Sequence, residues 1–151
     1  MNRHDYVDLY TRGWADGDVP TMMRALADDF VFDNPRVGKI TKTQFESYFK
    51  ELQKFVTTHR RDSTSERFME FGDVVRDDDG TTLTNWTWWR IPGTKLEGAG
   101  LMKVTDHGVV SHRAAFYAIP QYAGDAERVG GTTTSLDVRA IREIETSTIH
   151  R

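Results

Sequence analysis

The sequence has no cysteine among its 151 residues. Disulfides, thiolate nucleophiles, iron–sulfur clusters and zinc–thiolate sites are therefore excluded. It also lacks a long apolar run, since nothing approaches the ~18 consecutive apolar residues of a membrane span and no apolar segment follows the first residues. We therefore expect a cytoplasmic protein with no membrane partner.

A surplus of positive charge is also missing. The chain has 20 Lys and Arg against 23 Asp and Glu, a net charge of -3, whereas phosphate binding needs a basic excess. Nucleic acid is therefore not an expected partner. The 5 histidines show no H-x-x-x-H or similar ligand spacing, and no phosphate-binding glycine loop is present. We expect neither a metal site nor any other cofactor.

Aromatic residues are abundant, with 4 Trp, 5 Tyr and 8 Phe. Each covers ~150–250 Å² when buried, enough to build a core or an aromatic-lined pocket. The length fits one domain of the usual ~100–200 residues. After residue 122 the sequence loosens into glycine and threonine. We assign residues 1–122 to the domain and residues 123–151 to a C-terminal tail, flexible or packed on a partner subunit.

Apolar residues at helical spacing predict two helices before residue 30. The first ends at Asp16-Gly17. Its apolar face consists of Tyr6, Leu9, Tyr10 and Trp14. Asp18 is a suitable N-cap for the second helix, and Pro20 suits its first turn. The buried side of this helix consists of Met22, Met23 and Leu26.

A third helix is predicted after Thr41, because Gln44 three residues later completes a capping box. Its apolar stripe consists of Phe45, Tyr48, Phe49, Leu52 and Phe55. Alternating patterns predict a short strand before this helix and four strands after it. The five strands span residues 30–34, 68–75, 81–91, 96–105 and 109–119. Helices followed by antiparallel strands indicate an α+β fold.

Two stretches of the chain resemble the nuclear-transport-factor-2-like (NTF2-like) superfamily. They run from Tyr10 through Trp14-Ala15-Asp16-Gly17-Asp18 to Asp29-Phe30-Val31-Phe32-Asp33-Asn34-Pro35, and from Gly108 to Phe116. The sequence is most similar to ketosteroid isomerases and SnoaL-like polyketide cyclases. This resemblance implies a cone-shaped α+β fold with N-terminal helices packed on a curved, antiparallel or mixed sheet. It also implies a small hydrophobic ligand, such as a polyketide- or steroid-like compound.

The resemblance extends to single site residues. Tyr10 stands where the isomerases have the tyrosine that donates a hydrogen bond to the substrate oxyanion. Asn34 and Gly100 stand where they have two aspartates, one a general base and one protonated. An amide cannot accept the proton, so steroid isomerisation by that mechanism is not expected. Asp33, beside Asn34, lies on the other face of the strand by alternation and is expected at the rim.

His112 is the remaining candidate for proton transfer. The register implied by the resemblance turns it toward the cavity, as it does Gly98, Gly100, Met102, Ala114 and Phe116. An imidazole on an apolar wall is neutral and therefore able to accept a proton. We predict that Tyr10 polarises the substrate oxygen, His112 shuttles the proton and Asn34 orients substrate or water. The alternative is a core histidine hydrogen-bonded to the backbone.

Residues 83–90 carry three tryptophans that cannot share one face. The register implied by the resemblance turns Thr87 and Trp89 toward the cavity. Trp86 and Trp88 then face outward, where two indoles indicate a homodimer surface. A slip of one residue would exchange these roles. The predicted substrate-binding residues are Trp14, Phe32, Asp33, Thr87, Trp89, Met102 and Phe116.

These observations favour a cofactor-independent isomerase, cyclase or dehydratase acting on an apolar, carbonyl-bearing small molecule. Because both isomerase carboxylates are absent, the alternative is a non-catalytic binding or assembly module of the same fold. Epoxide or ester hydrolysis is a third possibility. It requires Asp33 to reach the cavity and activate water.

Overall fold

The computed structural model describes residues 1–60 and 67–118. In chain order its elements are α1 (Arg3–Asp16), α2 (Val19–Ala25), β1 (Leu26–Asn34), β2 (Gly38–Thr41), α3 (Lys42–His59), β3 (Glu70–Asp78), β4 (Leu83–Arg90), β5 (Glu97–Thr105) and β6 (Gly108–Ala118). The predicted boundary after residue 122, and the tail beyond it, lie outside the described residues.

The described strands form one six-stranded sheet in the order β2-β1-β6-β5-β4-β3. The last four strands pair antiparallel with their sequence neighbours, which is the predicted meander. Strand β1 pairs antiparallel with β2 but parallel with β6. The sheet is therefore mixed, and with the helices it gives the predicted α+β fold.

Local sequence signals set the first helix boundaries. The side chain of Asn2 accepts hydrogen bonds from the backbone N–H groups of His4 and Asp5 and starts α1. Gly17 ends it with a left-handed φ of 68°, a conformation that glycine adopts without steric cost. The carboxylate of Asp18 accepts the backbone N–H of Thr21 at 3.2 Å and starts α2. The end of α1 and the start of α2 agree with the predicted boundaries.

The prediction placed Leu26 in the second helix and started the strand at Phe30, and both placements were wrong. Helix α2 ends at Ala25, and Leu26 begins β1, paired with Val109 of β6. The register of this pairing shifts between Leu26 and Val31. This irregularity breaks the alternation of buried residues, so the sequence pattern there does not resemble a strand.

Strand β2 was not predicted. It has only four residues, none of them buried, and pairs along β1 from Val31 to Asn34. A short, exposed edge strand lacks the alternation that identifies strands in a sequence. The next helix follows the prediction, because the side chain of Gln44 accepts the backbone N–H of Thr41 at 2.8 Å.

Helices α1 and α3 pack on one face of the sheet, called here the inner face. Helix α1 contacts β4, β5 and β6, whereas α3 contacts β1 and β2. Aromatic rings fill the space between the layers, among them Tyr10, Trp14, Phe30, Phe32, Phe45 and Phe49. Within the described part of the chain, no helix combines the length and the apolarity needed to cross a bilayer.

Candidate functional site

A mostly apolar cavity lies between the helices and the inner face of the sheet. Its lining consists of Trp14, Phe32, Asn34, Tyr48, Leu52, Met69, Phe71, Thr87, Trp89, Ile91, Met102, His112, Ala114 and Phe116. Its free volume is about 30 Å³. Pockets that hold drug-sized ligands measure about 300–1,000 Å³, so such a ligand enters only if lining side chains move.

One buried hydrogen bond joins α1 to β6 at the wall of this cavity. The hydroxyl oxygen of Tyr10 lies 2.7 Å from Nδ1 of His112. Tyr10 is fully buried and His112 is 6% exposed. The two rings also meet edge to face, with centroids 5.5 Å apart. The structure therefore brings together the two residues to which the sequence assigned the chemistry.

Both members of this pair are neutral at pH 7. Burial lowers the pKa of His112 to about 3, because desolvation penalises the imidazolium. Burial also raises the pKa of Tyr10 far above its ordinary value, so the phenol keeps its proton. The contact is a hydrogen bond between uncharged groups.

Gly100 makes room for the imidazole. It lies on β5, diagonally across from His112 on β6. A Cβ at position 100 would lie 2.8 Å from Nε2 of His112, closer than real Cβ contacts. The resemblance places an isomerase aspartate at position 100. In this chain the ring of His112 occupies the space that such a side chain would enter.

Asn34, predicted to orient substrate or water, lines the cavity and uses its amide in hydrogen bonds within the protein. Its Oδ1 accepts the backbone N–H of Arg36 at 2.7 Å, which closes a turn after β1. Its Nδ2 donates to the hydroxyl of Tyr48 at 3.0 Å. The amide therefore positions Tyr48, a cavity residue, while its oxygen is engaged by the backbone. Sequence reasoning missed Tyr48 because it lies within the apolar stripe of α3, and its hydroxyl was the one available signal.

Six of the predicted substrate-binding residues line the cavity: Trp14, Phe32, Thr87, Trp89, Met102 and Phe116. The indole N–H of Trp14 is buried and has no hydrogen-bond partner within the described residues. On β4 the side chains of Trp86 and Trp88 lie on the outer face, 38% and 37% exposed. The strand register is therefore the one that the resemblance implied.

Asp33 does not line the cavity, which agrees with its expected place at the rim and gives no support to its prediction as a substrate-binding residue. Its carboxylate lies on the outer face, 3.5 Å from the guanidinium of Arg113. Residues 31–34 of β1 pair regularly with β2, so no bulge turns Asp33 inward and strand alternation keeps it outside. Among the described residues, no Asp or Glu lines the cavity.

Tyr10 is also placed differently from the prediction. Its hydroxyl is engaged by His112, and it is not part of the cavity lining. A ligand in the cavity therefore meets His112 before it meets Tyr10. Residues 1–60 and 67–118 contain no cluster of three or more His, Cys, Asp or Glu side chains suited to hold a metal ion.

No protein-family model and no curated protein sequence matches this chain. Solved structures, in contrast, do match it. A SnoaL-like protein of unknown function from Burkholderia thailandensis superposes with a TM-score of 0.58 at 14% identity, over 77% of this chain and 95% of that one. A protein from Xanthomonas campestris assigned as a polyketide cyclase gives 0.50 at 18% identity, over 79% and 91%.

An LEH-like epoxide hydrolase from M. tuberculosis gives a TM-score of 0.51 at 18% identity, over 74% of this chain and 80% of that one. At such identities the similarity concerns the fold and not the chemistry. Most of each neighbour's length is matched, and the three helices and mixed sheet described above account for the match. This chain has the α+β fold of the NTF2-like superfamily.

Proposed function

We propose that this protein binds an apolar, carbonyl-bearing small molecule in the cavity and activates the carbonyl without a cofactor. The reaction class is isomerisation, cyclisation or dehydration. The observation that carries the proposal is the buried Tyr10–His112 hydrogen bond at the wall of a mostly apolar cavity. Nε2 of His112 has no hydrogen-bond partner within the described residues. A ligand oxygen is the partner that satisfies it.

The physical basis is the low dielectric of the site. Enolisation, aldol-type cyclisation and loss of water from a β-hydroxy carbonyl all develop negative charge on the carbonyl oxygen. A fixed donor at that oxygen is stronger in an apolar cavity than in bulk water, and removing one such donor typically lowers the rate ~10²–10³-fold. Because His112 is neutral, it provides this contact without the cost of a buried charge.

The fold comparisons show that a neighbour assigned cyclase chemistry has the same architecture, and they concern neither the reaction nor the substrate of this chain. The neighbour assigned as a polyketide cyclase shares the arrangement of helices and sheet. The activity of the epoxide hydrolase neighbour is not proposed for this chain. Hydrolysis by an activated water needs a carboxylate in the cavity, and Asp33 is turned away from it toward Arg113.

A second candidate is a binding module without chemistry. Both positions where the isomerases have aspartates carry other residues, Asn34 and Gly100, so the described lining lacks a carboxylate base. The free volume is also small. A binding module would gain stability from ketone ligands, and this gain would persist, with at most a modest loss, in His112→Ala.

Solvent-deuterium incorporation, followed by NMR, tests the catalytic proposal. Wild-type protein is incubated in D₂O with a panel of cyclic ketones and β-hydroxy ketones, beside His112→Ala, Tyr10→Phe and His107→Ala. His107 lies in the exposed β5–β6 turn and is the matched control. We expect exchange by wild type and His107→Ala, suppressed in the other two variants. Ketones that raise the melting temperature without any exchange would refute catalysis and favour the binding module.

A further inference from the structure

The position of the proton on His112 decides what the cavity offers a ligand. A neutral imidazole has one N–H donor and one nitrogen acceptor. Nδ1 faces the hydroxyl of Tyr10 at 2.7 Å, and this contact forms in either direction. If Tyr10 donates, the proton of His112 is on Nε2. If Nδ1 donates, Nε2 presents a lone pair, as a general base would.

The surroundings of Tyr10 distinguish these two cases. The hydroxyl is fully buried, and its hydrogen-bond partner among the described residues is His112. The indole N–H of Trp14 also lies beside it, and this group is a donor that cannot take the Tyr10 proton. If Nδ1 donated, the proton of Tyr10 would be enclosed away from the cavity with no acceptor, whereas Nε2–H of His112 faces the cavity, where a ligand or water oxygen can accept it. An unsatisfied buried donor costs about 1–3 kcal/mol, so the direction from Tyr10 to His112 is favoured.

The same reasoning applies to a second group in the cavity. Oδ1 of Asn34 is fixed as an acceptor by the backbone N–H of Arg36. The amide nitrogen must therefore face Tyr48, and the phenol oxygen accepts from it. The hydroxyl proton of Tyr48 is not used in this bond and is available to a ligand. Burial raises the pKa of Tyr48 well above its ordinary value, so this proton is retained.

We propose that Tyr10 holds His112 as the Nε2–H tautomer and that the cavity presents donors, Nε2–H of His112 and the hydroxyl of Tyr48, to a ketone-type acceptor. Tyr10 is then a positioning residue that acts through His112. The ligand class rests on the proposed function, whereas the tautomer rests on the hydrogen bonds alone. This assignment differs from the predicted role of His112, because Nε2 already carries a proton and does not accept one.

This tautomer changes the role of His112 in the reaction from proton acceptor to hydrogen-bond donor. When a ketone enolises at this site, the C–H bond next to the carbonyl breaks and its electron pair moves to form an enolate. The proton passes to a water molecule. The oxygen stays hydrogen-bonded to Nε2–H throughout, and water returns a proton or a deuteron to carbon. His112 therefore stabilises the oxyanion and the solvent serves as the base.

Nitrogen-15 NMR of histidine-labelled protein at pH 7 tests the tautomer directly. We expect a pyrrole-type shift for Nε2 and a pyridine-type shift for Nδ1 of His112. In Tyr10→Phe the ring loses its fixed donor, and we expect both tautomers. His107, exposed in its turn, provides the reference for an unconstrained ring. A protonated Nδ1 with a bare Nε2 in wild type would overturn the proposal, whatever the protein binds.

A matched ligand pair tests the donor cavity. Cyclohexanone and methylenecyclohexane have nearly the same shape, but one presents an oxygen acceptor and the other a methylene group. We expect wild type to bind the ketone at least about tenfold more tightly, a difference of about 1.4 kcal/mol. His112→Phe should lose this preference, and His112→Gln, whose amide retains an N–H donor, should restore part of it.

The outcomes of the two tests are distinguishable. Equal binding of both compounds by wild type would overturn the donor cavity while leaving ligand binding in place. Binding of neither compound, together with the Nε2–H pattern in the NMR spectrum, would overturn the ligand class and the proposed function but support the tautomer.

Discussion

The substitution Gly100→Ala adds one methyl group beside His112 and tests how closely its ring packs against position 100. The added Cβ would lie 2.8 Å from Nε2, about 0.6 Å short of an ordinary van der Waals contact. The ring must move by at least that amount, and its hydrogen bond to Tyr10 spans only 2.7 Å. Overpacking of a core costs about 1–3 kcal/mol, and a buried group left unsatisfied costs a further ~1–3 kcal/mol. We expect a loss of about 2–6 kcal/mol in the free energy of unfolding.

Two other glycines of the sheet provide controls. A Cβ at Gly72 would meet Trp88 at 3.5 Å, an ordinary contact, so Gly72→Ala should change stability by no more than about 0.5 kcal/mol. A Cβ at Gly98 would collide with the backbone carbonyl of Ala115, which cannot rotate away. Gly98→Ala should therefore be the most destabilising of the three, with Gly100→Ala between the other two.

Urea unfolding followed by tryptophan fluorescence measures this order. The double variant Gly100→Ala/Tyr10→Phe provides a further check, because both changes remove the same hydrogen bond. Its loss of stability should be smaller than the sum of the single losses by about 1 kcal/mol. A Gly100→Ala protein as stable as wild type, with the NMR signature of the Tyr10–His112 bond intact, would refute the close packing of the His112 ring against Gly100.

Three further predictions follow from the structure. The native pKa of His112, about 3, lies below its ordinary value of 6.5, so the unfolded chain binds the extra proton. The free energy of unfolding should be highest above about pH 6.5 and fall on acidification by up to ~1.4 kcal/mol per pH unit. Urea unfolding from pH 4.5 to 7 measures this fall, and His112→Gln should reduce it. Asp33→Asn should leave ketone binding and deuterium exchange unchanged, and a large loss would show that this carboxylate reaches the cavity. Trp86→Glu should dissociate the predicted homodimer in sedimentation experiments, whereas an unchanged mass would exclude this face as the interface.

Sequence periodicity predicted the faces of the strands better than the contacts within the cavity. Alternation along β1 and β4 sorted the residues into two faces, and the resemblance indicated that the face of Thr87 and Trp89 is the inward one; the structure agrees. Alternation reports only which side of the sheet a residue faces. It does not report which inward groups meet a ligand. The expectation that Tyr10 contacts the substrate oxygen came from the resemblance, whereas in the structure its hydroxyl bonds to His112.

The predicted boundary between α2 and β1 was wrong because two sequence patterns overlap there. Leu26 fits the apolar spacing of α2 and also the inner face of β1, and pairing with β6 decided in favour of the strand. Tyr48 has the helical spacing of a core residue, so its partner Asn34 is visible only in three dimensions. In both cases a contact distant in sequence determined the outcome, and local periodicity carries no information about such contacts.

The residues that replace the two isomerase carboxylates are the ones that allow the cavity its neutral hydrogen-bond donors. By resemblance, the isomerases have aspartates where this chain has Asn34 and Gly100. At position 100 the absence of a side chain is what admits the ring of His112, and an aspartate there would collide with it. At position 34 the amide donates to Tyr48, which an ionised carboxylate cannot do. Reintroducing either aspartate alone should therefore disrupt a donor rather than restore an isomerase, and this is why we favour carbonyl activation by hydrogen bonding.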